Sequence, residues 1–277
     1  MTEIQAKLLD MFKWFHEFCV EHNLRYYAIG GTMLGAVRHK GFIPWDDDMD
    51  VGMPRNDYKR LIELRKKIPS PYILETPQSV AKDFLYAFSK IYNTDTTLIE
   101  KGKKNIKRGI YLDVFPLDGL GNEKNEATKQ FKKTARLVKK LAVRVSPVRK
   151  GRGKIKNLAV ILSRCIPQWV INDKKLAQKL DKVASEKDFD DNVFVGNLVC
   201  NYKMNNILRR EYFGEPTLYS FEDISIYGAE DYDGYLTRVF GEWRKLPPKE
   251  QQISFHLSTE LDLNKSYLDI GEKQCKQ

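Results

Sequence analysis

The chain has 277 residues, 42% of them hydrophobic and 12% aromatic; this excludes a disordered polypeptide and suits one large domain or one domain with a sizeable insertion. Cys19, Cys165, Cys200 and Cys275 lack CxxC spacing, and His16, His22, His39 and His256 lack metal-ligand spacing. A disulfide scaffold and a structural zinc site are excluded, and a reducing cytoplasm is expected. The formal net charge of +10 is concentrated: thirteen Lys and Arg lie between residues 127 and 172, with no Asp or Glu, so the remainder is slightly acidic.

In chain order, Ile4, Leu8, Phe12, Phe15 and Cys19 alternate with charged residues and predict an amphipathic helix, not the apolar core of a signal peptide. Tyr26–Ile29 reads as a short strand, Gly30-Gly31-Thr32 as a tight turn and Met33–Arg38 as a helix start. A loop over His39–Trp45 leads into an acidic strand at Asp48–Val51. Pro54 suits a first helical position, with Tyr58, Leu61, Ile62 and Ile68 as the apolar stripe. Strands are expected at Tyr72–Leu74, Leu85–Tyr92 and Ile110–Phe115, with Asp118 in a turn beyond. Basic helices follow, broken near Pro147 and Gly151–Gly153. A helix over Asp173–Lys187, short strands and a helix over Asp231–Gly241 complete the chain. No apolar run is long enough to cross a bilayer, and no repeat is visible. The pattern predicts an α+β fold.

The segment Ile43-Pro44-Trp45-Asp46-Asp47-Asp48-Met49-Asp50-Val51 carries the chemistry. A strand sends alternate side chains to one face, so Asp48 and Asp50 point together while Met49 and Val51 point to the core. Asp46 joins that face if the strand starts early. Paired carboxylates repel unless a cation lies between them, and such oxygen ligands suit Mg²⁺ or Mn²⁺. An acidic run is usually a solvated turn, but Phe42, Ile43, Trp45 and Met49 give this one an apolar setting. A calcium loop starting at Asp46 fails at Val51, where Gly is needed, and at Asp57, where Glu is needed. Upstream, Gly31 and Thr32 at a helix start form a candidate phosphate cradle, although a Gly-Gly turn is commonly just a turn. Asp113, between apolar neighbours, is the candidate third carboxylate; the alternative is an edge-strand Asp facing solvent.

This set resembles the nucleotidyltransferase (polymerase-beta-like) pattern. The run Ile29-Gly30-Gly31-Thr32-Met33-Leu34-Gly35 through Asp50 resembles the signature of the LicD family, which includes the fukutin-related proteins. Ser89-Lys90-Ile91-Tyr92, Tyr111 to Asp118 and Asp231-Tyr232-Asp233-Gly234-Tyr235-Leu236 are similar to that family too. The resemblance implies a mixed sheet flanked by helices. Residues 1–122 would form the catalytic core, 123–190 a basic helical insertion, and 191–277 the part completing the catalytic domain. It implies transfer of phosphocholine from CDP-choline, or of ribitol or glycerol phosphate from a related CDP-alcohol, to a sugar hydroxyl. The acceptor would be a cell-surface glycan such as a lipid-linked teichoic acid precursor or lipopolysaccharide. Asp48, Asp50 and Asp113, with Asp46, would hold Mg²⁺ (or Mn²⁺); Asp113 would hold metal or take the hydroxyl proton. Gly31, Thr32, Arg38, His39 and Lys90 would contact substrate. The other enzyme class compatible with a DxD strand is a glycosyltransferase using a nucleotide-sugar, which does not require the Gly-Gly-Thr turn.

Three readings compete for the basic segment: a solvated helical face, an anionic-membrane contact, and a nucleic-acid surface. Leu137, Leu141, Leu158 and Leu162 set apolar residues beside its cations, and the aromatic interleaving favoured by single-strand binders is missing. The family resemblance favours the membrane, because it implies precursors built on lipid carriers at the cytoplasmic face; a peripheral enzyme at the inner membrane face is expected, with no nucleic-acid partner.

Overall fold

A computed structural model describes residues 1–81, 83–100, 105–148, 153–200, 204–253 and 258–269. Arg149, Lys150, Gly151 and Arg152 of the basic stretch, with His256 and Cys275, lie outside the described residues. Helix α1 (Glu3–Glu21) opens on a capping box in which the Thr2 hydroxyl and the Gln5 side chain satisfy each other's backbone N–H groups. Its apolar stripe, from Leu8 through Phe12 and Phe15 to Cys19, is buried as the periodicity requires.

The chain then alternates between elements: β1 (Tyr27–Ala28), α2 (Gly30–Arg38), β2 (Asp50–Pro54), α3 (Arg55–Glu63), β3 (Tyr72–Glu75) and β4 (Ser89–Asn93). Next come β5 (Thr97–Glu100), β6 (Ile106–Arg108) and the long β7 (Tyr111–Gly121). Helices α4 (Lys124–Val145), α5 (Lys154–Arg164) and α6 (Asp173–Ala184) follow. Last are β8 (Phe194–Gly196), β9 (Leu208–Arg209), β10 (Thr217–Phe221), β11 (Ile224–Gly228), α7 (Tyr232–Phe240) and β12 (Ser258–Asp262). The fold is α+β, as expected.

The main sheet runs β1-β2-β7-β4-β3, and β8 extends it from the far end of β7, with β9 beyond. Only β2 and β7 pair in parallel among the described strands of this sheet. A strand ending at Phe115 and a turn at Asp118 are both corrected: β7 continues through Pro116 to Gly121. Pro116 is tolerated because it falls between the stretch paired with β4, which ends at Val114, and the stretch paired with β8, which starts at Asp118. Asp118 is fully buried and meets Arg55 through two hydrogen bonds of 2.6 and 2.7 Å. The third arm of Arg55 reaches Asp181 at 2.7 Å, so one guanidinium ties α3, β7 and α6 together. Burial raises the Asp118 carboxyl against the opposing pull of Arg55, and the fork geometry offsets part of the desolvation.

Smaller differences lie at the ends. Gly30-Gly31-Thr32 is the first turn of α2, not a turn preceding it. Pro54 closes β2 and caps α3, and α6 stops at Ala184. The β10–β11 hairpin and α7 pack against α2.

Candidate active site

Strand register builds the floor of the site. Asp50 of β2 lies opposite Asp113 of β7, and Asp113 lies opposite Lys90 of β4. Directly opposed residues project from the same sheet face, so two carboxylates and an ammonium stand in one row across three strands. Asp48 precedes the strand: residues 46–49 lie outside regular structure and pairing starts at Asp50, two residues later than the sequence pattern places it. Met49 is still buried, and its carbonyl accepts from the Asp113 N–H at 3.1 Å, which holds the acidic segment against β7.

The row has an excess of negative charge. Burial, then Asp48, Asp113 and Asp46, push the Asp50 carboxyl well above the usual carboxylate range. Burial raises the Asp113 carboxyl to about 6 against the pull of Lys90, with Glu100 and Asp48 adding to the rise. Burial works against the Lys90 ammonium, yet Asp113 and Glu100 outweigh it and leave its pKa above the ordinary value. Acids and base alike hold their protons tightly, as expected in a pocket with net negative potential.

Lys90 is almost inaccessible. Its ammonium lies 2.9 Å from Asp113 Oδ1, 3.3 Å from the Tyr111 ring centroid and 4.6 Å from that of Tyr86. The Tyr111 and Tyr86 hydroxyls donate to Glu100 at 2.8 and 3.3 Å, which fixes the rings. A lysine expected to reach for substrate phosphate is thus spent on holding Asp113 between aromatic faces.

The signature segment is shaped by close approach. Gly31 and Gly35 lie one helical turn apart on α2. A Cβ at Gly31 would stand 2.5 Å from Asp46 Oδ2, and one at Gly35 would stand 2.5 Å from the Gly41 carbonyl oxygen. The loop from Gly41 to Asp46 lies directly on the helix, and a carboxylate faces its N-terminus, where the dipole favours negative charge. Thr32 is buried, and its hydroxyl accepts from the Asp50 N–H at 2.8 Å, while the Asp50 carbonyl accepts from Ile29 at 3.1 Å. Asp50 is therefore clamped through its backbone on both sides.

Two contributors come from far along the chain. The Gly30 N–H donates to the buried Tyr235 hydroxyl at 2.9 Å. Asp231 of the same motif caps α7 through the Gly234 N–H at 2.8 Å, and Asp233 accepts from the Trp243 indole at 3.0 Å. Glu222, at the tip of the β10–β11 hairpin, accepts from the Phe42 N–H at 3.0 Å and donates its own N–H to Lys40 at 2.7 Å. Neither Tyr235 nor Glu222 stands out in the sequence as a partner of the acidic loop. The Tyr235 motif is visible there, but its target is not.

Arg38 and His39 turn elsewhere. The Arg38 guanidinium donates to the carbonyls of Trp243 at 2.8 Å and Lys245 at 3.4 Å, splinting the segment after α7. His39 accepts from Arg38 at 3.4 Å and packs edge-on to Trp45; burial, then Arg38, lower its pKa and favour the neutral ring.

The residues fit a hard divalent cation shared with a substrate. Asp113 Oδ1 is buried and, despite the nearby ammonium, has no hydrogen bond of acceptable geometry. Among the described residues no three His, Cys, Asp or Glu converge as a ready cage. A magnesium ion is commonly held by one or two carboxylates plus phosphate oxygens and water, which is the donor set that Asp50 and Asp113 leave incomplete.

Comparison with known proteins agrees with this architecture. Residues 23–143 match the family model described as LicD/FKTN/FKRP, nucleotidyltransferase domain. The chain is 28% identical over 261 residues to the lipopolysaccharide cholinephosphotransferase LicD of Haemophilus influenzae, covering 93% of this chain and 96% of that protein. It is 31% identical over 111 residues to the uncharacterized protein RP689 of Rickettsia prowazekii, covering 40% of this chain and 39% of that one. It is 45% identical over 42 residues to the human ribitol 5-phosphate transferase FKRP, covering 15% of this chain and 8% of that protein. Residues 23–143 thus carry the LicD-family domain, and nearly the whole chain aligns with one member of that family.

Proposed function

We propose that this protein transfers phosphocholine, or a similar phospho-alcohol, from a CDP-activated donor to a sugar hydroxyl of a cell-surface glycan. The observation that carries the reading is the same-face row of Asp50, Asp113 and Lys90 beneath the Asp46–Asp48 segment. It sits in a chain that aligns along nearly its whole length with a cholinephosphotransferase. The match to FKRP over 42 residues supports ribitol phosphate as the second candidate group.

Asp48 and Asp50, with Asp113, would hold Mg²⁺ or Mn²⁺; Asp46 reaches the same negative pocket from the α2 side. Bound there, the ion would offset the negative charge of the donor pyrophosphate. Asp113, where it does not itself hold the metal, is the proton acceptor of choice. Its carboxyl, raised to about 6, is ionised at neutral pH yet basic enough to draw a proton from an attacking hydroxyl. The sugar oxygen forms a bond to the phosphorus carrying the alcohol, the bond to CMP breaks, and the hydroxyl proton passes to Asp113. Lys90 keeps Asp113 in place and ionised. Thr32 holds the Asp50 backbone and retains its own O–H for a phosphate oxygen. Lipid-linked glycan precursors, such as those of teichoic acids or lipopolysaccharide, are the acceptors proposed.

A thermal-shift panel tests the donor class, using Mg²⁺ with CDP-choline, CDP-ribitol, CDP-glycerol and UDP-sugars. Stabilisation should follow a CDP-alcohol and grow with its concentration. A shift with UDP-sugars alone would move the protein to the glycosyltransferases. Asp50→Asn and Asp48→Asn should fold normally and lose turnover; near wild-type rates with Mg²⁺ would remove that residue from the metal set.

A further inference from the structure

Helix α5 is amphipathic in the wrong sense for a surface helix. Val160 and Ser163 are buried on the side facing α4, where the Ser163 hydroxyl donates to the Val143 carbonyl at 3.1 Å. The opposite, solvent-facing side carries Ile155, Leu158 and Leu162, at i, i+3 and i+7, a helical stripe of large apolar side chains, with exposed Ile166 just beyond the helix end. Ile155 is 85% exposed, and Trp169, just past the helix, is 87% exposed. A solvated helix places charge on that face, so a contiguous apolar stripe there marks a surface with a partner.

The charge around the stripe identifies that partner. Lys154 and Lys156 are exposed beside it, and no carboxylate occurs between residues 127 and 172. The next one, Asp173, is buried against Arg144. The platform is also fixed. Arg144 donates to the carbonyls of Ser163 at 2.6 Å and Ile171 at 3.1 Å, fastening the end of α5 and the segment that presents Trp169. A convex helix with an aliphatic outer face, flanking lysines and a terminal tryptophan has the make-up of an interfacial membrane helix. At eleven residues it is too short to span, and among the described residues no helix is long and apolar enough to cross a bilayer.

We propose that the outer face of α5 and Trp169 insert into the headgroup region of an anionic lipid bilayer and dock the enzyme there. On α4, by contrast, Lys133 is paired with Glu186 at 2.6 Å. The inference is independent of the active-site reading, because it concerns binding only.

The test is co-sedimentation of the full chain with vesicles of phosphatidylcholine alone or mixed with phosphatidylglycerol. Binding should favour anionic vesicles by at least about tenfold and weaken as salt rises. Leu158→Ser/Leu162→Ser, which leaves the charge unchanged, should abolish it. Lys154→Gln and Lys156→Gln should each weaken it about fivefold. Tryptophan emission should shift blue with anionic vesicles only, and Trp169→Phe should remove the shift. Unchanged circular dichroism would show that the serine variant folds, and Trp169→Ser repeats the test from outside the helix. The proposal is overturned if the serine variant binds like wild type or if neither vesicle binds. It is equally overturned if the chain forms a dimer that the serine variant dissolves without any vesicle binding, which would make the face a self-contact.

Discussion

Replacing Lys90 with Met removes the ammonium from beneath Asp113 while keeping the aliphatic stem among Tyr86, Phe88 and Tyr111. Both members of the pair are buried, with side-chain exposures of 3% and 14%. Removing one partner of a buried pair costs about 3–5 kcal/mol when the other stays charged. Asp113 can avoid part of that loss by taking a proton. In the wild type its carboxyl sits at about 6, so protonation at pH 7 costs about 1.4 kcal/mol. Without Lys90, burial, Glu100 and Asp48 act unopposed and the carboxyl moves higher still.

The sign follows from linkage. A folded-state carboxyl raised above its unfolded value of about 3.9 binds protons more tightly in the native state, so its contribution to stability falls as pH rises. In the wild type that fall is complete just above pH 6, whereas in Lys90→Met it continues to higher pH and ends at a lower ionised-state stability. The destabilisation by the substitution should therefore approach the 3–5 kcal/mol limit at high pH. It should shrink on acidification by up to about 1.4 kcal/mol per pH unit over the gap between the two carboxyl pKa values. Urea unfolding in chelator-containing buffer at pH 5.5, 7 and 8 measures it. Adding Asp113→Asn should erase the pH dependence. A cost that is flat between pH 5.5 and 8 would refute the buried pair as the reason Lys90 is there.

Three further outcomes are expected. Gly35→Ala gains helix propensity of about 1 kcal/mol, but its methyl would meet the Gly41 carbonyl at 2.5 Å; a net loss of about 1–3 kcal/mol should appear as a lowered Tm. Asp118→Ala strands Arg55 with Asp181 alone and should cost about 3–5 kcal/mol in urea unfolding, without changing which nucleotide stabilises the folded protein. Stabilisation by Mg²⁺ should fade as pH drops below about 6, where Asp113 takes a proton; a shift as large at pH 5 as at pH 7.5 would remove Asp113 from the metal set.

What could be read without coordinates was what is local in the chain. The amphipathic first helix, the buried Met49 and the strand position of Asp113 all follow from side-chain periodicity and ended where the pattern put them, whereas Asp48 fell short of the strand because pairing with β7 begins only at Asp50. Strand length was misjudged at Pro116 because a proline stops a strand only if its N–H is needed, and a gap between two partners is a tertiary fact. Lys90 shows a related limit. In sequence it is a cation near a catalytic motif; in space its neighbours are set by register, and register placed Asp113 opposite it and Tyr111 beneath it.

The non-local supports were the least legible. Gly35 is a glycine because Gly41 lies on top of it, Gly31 because Asp46 does, and the Gly30 N–H is answered by a tyrosine more than two hundred residues away. These contacts explain why the signature is long and specific, although few of its residues face the reaction. The carboxylates need to be held close together against their own repulsion. That cost is met by Thr32 and Ile29 clamping the Asp50 backbone, by Glu222 and Tyr235 reaching in from the last third of the chain, and by Lys90 under Asp113. A substitution at Glu222 or Tyr235 should therefore act on the site from a distance, through the position of the acidic loop and not through contact with substrate.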